Sequence, residues 1–181
     1  CRQAASWPGD LAVAVNVSPK QFLSPNLASV VLSALATSGL PATRLELEIT
    51  ETVLVENVEE NLSNIRQLKN LGISVSIDDF GTGNSSMSHL TLFPFDKIKI
   101  DKSFTQAVLA RRDFQAVVAS TLLLAKGLGI EVTADGIENK EQLEYMRAAG
   151  VDLVQGYLLG RPGSALRFIF PITGTSPEMV A

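Results

Sequence analysis

A parallel α/β barrel is the architecture written into this chain, and two features carry that reading. The first is an alternation of short Val/Ile/Leu-rich runs with longer amphipathic stretches, strand then helix, repeated about six times. The second is where the polar groups fall: nearly every apolar run ends in an acid or an amide. LAVAVNVS delivers Asn16, LELEITE delivers Glu48 and Glu51, and ISVSIDDF delivers Asp78 and Asp79. FDKIKID delivers Lys99 and Asp101, IEVTADGIE delivers Asp135 and Glu138, and VDLVQGY delivers Gln155. Successive intervals from Asn16 through Glu48, Asp78, Asp101 and Asp135 to Gln155 are 32, 30, 23, 34 and 20 positions. One βα unit takes roughly 30 residues. Parallel strands bring their C-terminal ends to one rim, where α/β barrels carry their chemistry. Seven carboxylates converging there repel one another without a cation, so the pattern implies a divalent-metal site.

Taken in order, segments 11–18, 44–50, 74–79, 95–101, 130–135 and 153–159 read as strands. Their often near-continuous apolar runs suit parallel strands covered on both faces. Helices are expected at 25–38, 57–71, 85–92, 103–127 and 139–149. Gly39, Gly72, Gly129 and Gly150 each fall just past such a stretch, where a left-handed cap is needed. Asn57 is read as the cap of VEENLSNIRQLKNLG, and Asn139 as that of KEQLEYMRAAG with Gln142 as its capping-box partner. The tail from Gly163 is mixed, with SALRFIF as a short helix or strand. Six strands do not close a barrel that normally takes eight in about 250 residues. The opening CRQAASWPGD reads as the end of a helix and its loop. The expectation is one domain over 1–181 that lacks its N-terminal strand or strands and helix, with the edge beside 11–18 left open.

Composition narrows the function classes. Hydrophobic residues at 46% against 19% charged describe a well-buried globular chain. A net charge of −4 argues against a DNA or RNA polymer surface. A nucleotide whose phosphates a metal neutralises stays within reach. The single Cys1 excludes an internal disulfide framework and suits a reducing cytoplasm. No apolar run reaches 18 residues and no signal peptide is visible, so a cytoplasmic domain without a membrane span is expected, whether or not its parent is membrane-anchored.

Asp78-Asp79 is the sharpest single element. Two adjacent acids at a strand end reach two neighbouring cations if the backbone turns sharply, and Phe80-Gly81-Thr82-Gly83 supplies the turn. Hard oxygen donors suit Mg²⁺ or Mn²⁺, and the lack of a His/Cys cluster disfavours zinc. The plain alternative, two acids capping the next helix, loses ground because Asn16, Glu48 and Lys99 occupy equivalent positions.

The blocks NVSPKQF, LELEITET, IDDFGTGNSSMSHL, FDKIKIDKSF and VDLVQGYLLGRP strongly resemble the EAL family of cyclic-di-GMP phosphodiesterases, over Val13 to about Pro162. The resemblance implies a TIM-type (β/α)8 barrel with one strand reversed, two Mg²⁺ or Mn²⁺ ions, and opening of cyclic-di-GMP to linear pGpG by metal-activated water. It suggests Asn16, Glu48 and Asp78 as ligands of one metal, with Asp79 on the second or bridging. Lys99 would lie near the attacking water and the scissile phosphate, and Glu51 would hold the loop after DDFGTG. Asp101 and Glu138 match positions that support the second metal and the loop network, and Gln155 one near the nucleotide. The loop after Asp79 is associated with homodimerisation, and Asn84 stands there in place of a common aromatic.

Two departures bear on activity. The family's Glu-Ala/Val-Leu tripeptide, whose Glu binds metal, is absent, and Glu46 is read as facing away from Glu48 and so no substitute. Asp135 stands where the family has Glu, a residue commonly assigned to the general-base or second-metal role. Its carboxylate is retracted by roughly one bond length, about 1.5 Å, and misplacement of ~1 Å can cost about 10²-fold in rate. Impaired catalysis is therefore expected, and a degenerate domain that binds cyclic-di-GMP or a protein partner without catalysis is the alternative. The lone His89 is read as structural, Trp7 as edge packing, and Phe93, Phe95 and Phe104 as core. Arg111-Arg112-Asp113 is read as a solvated helix junction, with Lys20 and Arg161 near the rim.

Overall fold

The computed structural model describes residues 1–54, 57–82 and 87–164. Asn84 and segment 165–170 lie outside the described residues. Six parallel strands, β1 (Val13–Val17), β2 (Leu45–Thr50), β3 (Ser74–Phe80), β4 (Lys97–Ile100), β5 (Glu131–Ala134) and β6 (Leu153–Val154), lie side by side in chain order. The helices are α1 (Arg2–Ala5), α2 (Pro19–Phe22), α3 (Leu27–Ser38), α4 (Val58–Asn70), α5 (Met87–Leu92), α6 (Lys102–Ala107), α7 (Arg112–Leu128) and α8 (Lys140–Ala149). The result is an open (β/α)8-type barrel with strand pairs 1–2 through 5–6 in place. Among the described residues no helix is long and apolar enough to cross a membrane.

Side-chain alternation builds two layers. Leu45, Leu47, Ile49, Val75, Ile77, Ile98, Ile100, Val132 and Ala134 are buried in the apolar core with α-helical residues such as Leu35, Ile65, Leu68, Val118 and Met146. The intervening positions, Glu46, Glu48, Ser76, Lys97, Lys99 and Thr133, are polar. This corrects the reading of near-continuous apolar strands: β2, β3 and β4 alternate strictly, and one of their faces is charged. Two aspartates tie strand starts together. Asp96 Oδ2 accepts from the Val75 amide at 2.8 Å, and Asp152 Oδ2 from the Val132 amide at 2.8 Å. Arg44, buried, donates to the carbonyls of Leu11 (2.8 Å) and Ala4 (2.9 Å) and so fastens the N-terminal segment.

The helix signals hold unevenly. Gly39, Gly72, Gly129 and Gly150 all take positive φ at helix C-termini, and Asn139 and Gln142 form the capping box. Ser18 and Gln21 form a second one, which starts α2 between the segments expected as strand and helix. Asn57 does not cap α4 with its side chain; its own φ of 51° puts it in the left-handed region. The helix expected over 103–127 is two helices, because the chain turns at 108–111, where Gln115 Nε2 donates to the Val108 carbonyl at 2.8 Å. Arg111 there pairs with Asp113 and lies 3.8 Å over the Phe114 ring. The last strand ends at Val154 rather than 159.

Candidate active site

At the C-terminal rim, β2, β3 and β4 bring Glu48, Asp78 and Lys99 into direct contact. Lys99 Nζ lies 2.9 Å from Glu48 Oε2 and 3.2 Å from Asp78 Oδ1. Lys99 is 5% exposed and Glu48 7%, while the Asp78 side chain is 17% exposed, so this is a largely buried ion triad open at Asp78. Burial disfavours the Lys99 ammonium, yet Glu48 and Asp78 outweigh it and hold its pKa above the ordinary value. Burial likewise lifts Glu48 above the usual carboxylate range, with Lys99 only partly offsetting it.

The Asp78-Asp79 turn forms as the double acid demands, with one difference in how. The β3–β4 register shifts between Ile77 and Phe80, and Asp79 itself takes φ 55°, with Gly81 at 96°. The Asp79 amide donates to Asp78 Oδ1 at 3.0 Å, and Thr82 Oγ1 donates to the Asp79 carbonyl at 2.8 Å. Glu51, buried just past β2, accepts from the Gly81 amide at 3.1 Å and so holds this turn from below. Asp79 is raised in pKa by burial and then by Asp78 and Asp101, with Asp135 adding to them.

Other expected residues are placed as follows. Asn16 sits in register beside Glu48, with its side chain exposed. Asp101 N-caps α6, accepting from the Ser103 amide at 2.9 Å, and lies near enough to Asp79 to raise its pKa. Asp135 Oδ1 accepts from the Gly136 amide at 2.7 Å. Glu138 turns outward to α6, where Gln106 Nε2 donates to it at 2.8 Å. Gln155 lies on the lip between two clefts. One, of about 570 Å³, is lined by Lys102, Asp135, Glu138, Tyr157 and Arg161 among others. The other, about 270 Å³, holds Glu46, Glu48, Lys97, Lys99 and Thr133. Among the described residues no three His, Cys, Asp or Glu side chains already stand close enough to cage an ion; Glu48 and Asp78 are engaged by Lys99.

Sequence reasoning misplaced Glu46. Residues two apart on a strand share a face, and Glu46 accordingly lines the same cleft as Glu48, where it binds Lys97 at 2.6 Å. Lys97 and the wholly buried Ser76 were passed over for the same reason. The strict alternation in LELE and KIK was the available signal. Phe93, Phe95 and Phe104 are core, as expected.

The chain matches the EAL domain family model over residues 1–162. The chain belongs to the EAL-domain family. It is 39% identical over 152 residues to the cyclic di-GMP phosphodiesterase NbdA of Pseudomonas aeruginosa, covering 84% of this chain and 19% of that protein. Among solved structures, the MucR phosphodiesterase of Pseudomonas aeruginosa in complex with c-di-GMP superposes with a TM-score of 0.88 at 35% identity, over 92% of this EAL chain and 69% of the other. Klebsiella pneumoniae BlrP1 with manganese and cyclic-di-GMP gives a TM-score of 0.79 at 32% identity, over 85% and 40%. The chain spans only about a fifth of the length of the curated relatives it matches.

The electrostatics of the EAL rim give a pH prediction. Because Asp79 is raised in pKa, the folded chain holds that proton more tightly than the unfolded one, and stability falls as pH climbs from 3.8 through the folded value. Asp79→Asn keeps a residue that tolerates positive φ and removes the charge. Without divalent cations its Tm is expected to exceed that of wild type by about 1–2 °C at pH 7 and to match it at pH 3. Thermal melts in chelator at the two pH values check this, and equal gains at both would contradict it.

Proposed function

We propose that this EAL domain hydrolyses cyclic-di-GMP to linear pGpG, with Mg²⁺ or Mn²⁺, as a step of bacterial second-messenger signalling. The observation that carries the reading is the largely buried Glu48–Lys99–Asp78 triad set against the repelling Asp78, Asp79, Asp101 and Asp135 carboxylates. The residues that would hold the ions are Asn16, Glu48, Asp78, Asp79 and Asp101. All offer hard oxygens, and the repulsion raising Asp79 is what a divalent cation relieves. When bound, such ions supply an acidified water and polarise the phosphate.

The side chains do the remaining work. Lys99 keeps an ammonium at the rim, where it can offset charge gathering on phosphate oxygens. Glu51 fixes the acid turn through Gly81, so the positions of Asp78 and Asp79 depend on it. Gln155 presents an exposed amide to the attacking water or the nucleotide, and Glu138 steadies the Asp135 loop through Gln106. The first experiment is incubation of the chain with cyclic-di-GMP and Mn²⁺, resolving the nucleotides by chromatography. Linear dinucleotide that vanishes on chelation supports the reading; neither product nor binding overturns it.

A second reading, binding without catalysis, is favoured by Asp135, whose short carboxylate is turned onto the Gly136 amide. Asp135→Glu, made together with the family's Glu-Ala/Val-Leu strand, is expected to raise turnover at least about tenfold, in line with the cost of ~1 Å misplacement. Bound but intact cyclic-di-GMP in both forms would decide for the second reading.

A further inference from the structure

Two lysines and two glutamates share one face of β2 and β4, and their pairing is staggered. Register places Glu48 level with Ser76, and Ser76 level with Lys97. Lys97 therefore stands opposite Glu48 across β3, with only the small, fully buried Ser76 between them. Yet Lys97 does not bind Glu48. Its ammonium leans one step down the sheet to Glu46 Oε2 at 2.6 Å, and Glu48 is left to Lys99, one step up, at 2.9 Å. One step is two residues, about 6.6 Å along a strand, well within reach of a lysine side chain. Both pairs are largely buried, with side-chain exposures of 17% and 10% for Lys97 and Glu46 and 6% and 8% for Lys99 and Glu48. The four line a cleft that solvent reaches only in part, so a cation that loses its partner there is drawn to the nearest carboxylate, because leaving it unpaired is costly.

We propose that Glu46 is a positioning residue for the active site: by holding Lys97 it keeps the carboxylate of Glu48 turned to Lys99 and the rim. The inference rests on the hydrolase reading for its consequence in turnover, but not for its geometry. Glu46 touches no reacting atom; it acts by removing a competitor. With Glu46 uncharged, Lys97 swings onto Glu48 and draws it away from Lys99. The other group facing Lys97 is Glu131, its register neighbour on β5, which is exposed. Thr133, buried beside Lys99, adds no charge.

The consequence is asymmetric, which separates it from a merely structural ion pair. Glu46→Gln should disturb Lys99, Lys97→Met should not, and the double variant Glu46→Gln/Lys97→Met should restore Lys99. The readout is the side-chain ammonium resonance of Lys99 in ¹⁵N-lysine-labelled full chain, assigned by its loss in Lys99→Met. It needs no nucleotide. Expected are a moved or exchange-broadened Lys99 signal in Glu46→Gln, a wild-type signal in Lys97→Met, and a wild-type signal in the double variant. In parallel, kcat for cyclic-di-GMP falls about tenfold in Glu46→Gln and returns within about twofold in the double variant, a loss consistent with sub-ångström to ångström displacement. If Glu46→Gln does not fold, Glu46→Asp, which keeps the charge and shortens its reach, is expected to move the signal the same way by less. An unmoved Lys99 signal in the folded Glu46 variant overturns the proposal and indicates that Glu131 captures Lys97. Equal disturbance by Lys97→Met also overturns it. The asymmetric spectrum in a chain that hydrolyses nothing leaves this inference standing and sinks the hydrolase reading instead.

Discussion

On the proposed hydrolase reading, Lys99→Met is expected to lower cyclic-di-GMP turnover by at least about 10³-fold. The side chain is 6% exposed and bridges Glu48 and Asp78. Removing one charge-stabilising donor from a transition state costs about 10²–10³ by itself. The variant also loses the tether that fixes both carboxylates, and misplacement of ~1 Å adds up to about 10². Stability responds too. Breaking a buried pair from one side costs about 3–5 kcal/mol, tempered here because Glu48, already raised by burial, can take up a proton. The sign follows from linkage. Lys99 is raised, so its contribution is complete below its ordinary 10.5 and is lost as pH rises through the folded value. Glu48 is raised as well, so stability falls as pH rises from 4.5 through its folded value. In Lys99→Met nothing opposes that rise, the window widens, and Tm should drop more steeply above pH 4.5 than in wild type. Steady-state kinetics and melts across pH 4–8 read both effects. Turnover within tenfold of wild type would remove Lys99 from the chemistry.

Much of this site was legible because it obeys strand arithmetic. Glu48, Asp78 and Lys99, each at or near the end of its run, meet although 30 and 21 positions separate them along the chain. Helix C-termini were equally plain, since a left-handed cap leaves glycine as its mark. What escaped was set by contacts distant in sequence. No glycine or proline marks the break after Ala107; the turn is made by tertiary packing and by Gln115 reaching back to Val108. Asn57 failed as a cap because its backbone is left-handed. Glu46 escaped for a different reason. Its partner lies two strands away, and a polar lining is unexpected in a barrel interior usually filled by branched apolar residues. The alternation of LELE with KIK was in view, but only the register makes it a ladder of ion pairs.

Gly156→Ala is expected to cost about 3 kcal/mol, a fall in Tm on the order of 6–12 °C for a chain of this size. A Cβ there would stand 2.1 Å from the Ile137 carbonyl oxygen and 2.3 Å from its nitrogen. Both are backbone atoms already committed. The Ile137 amide donates to the Gln155 carbonyl at 2.9 Å, and the Ile137 carbonyl accepts from the Leu158 amide at 3.0 Å. Nor can the loop retreat toward α6, because Gly136, with φ 78°, is wedged against Lys102, where its own Cβ would lie 2.4 Å from the lysine Cβ. The two glycines thus clamp the Asp135–Glu138 loop between α6 and the turn after β6. An added methyl must push the Gln155 turn or the Asp135 loop aside, so turnover should fall by about 10²-fold along with stability. Gly160→Ala is the control: it lies in the same segment, nothing stands within 4 Å of its Cβ position, and neither Tm nor turnover should change. If Gly156→Ala melts with wild type, the close approach between the turn and the loop is not what holds them.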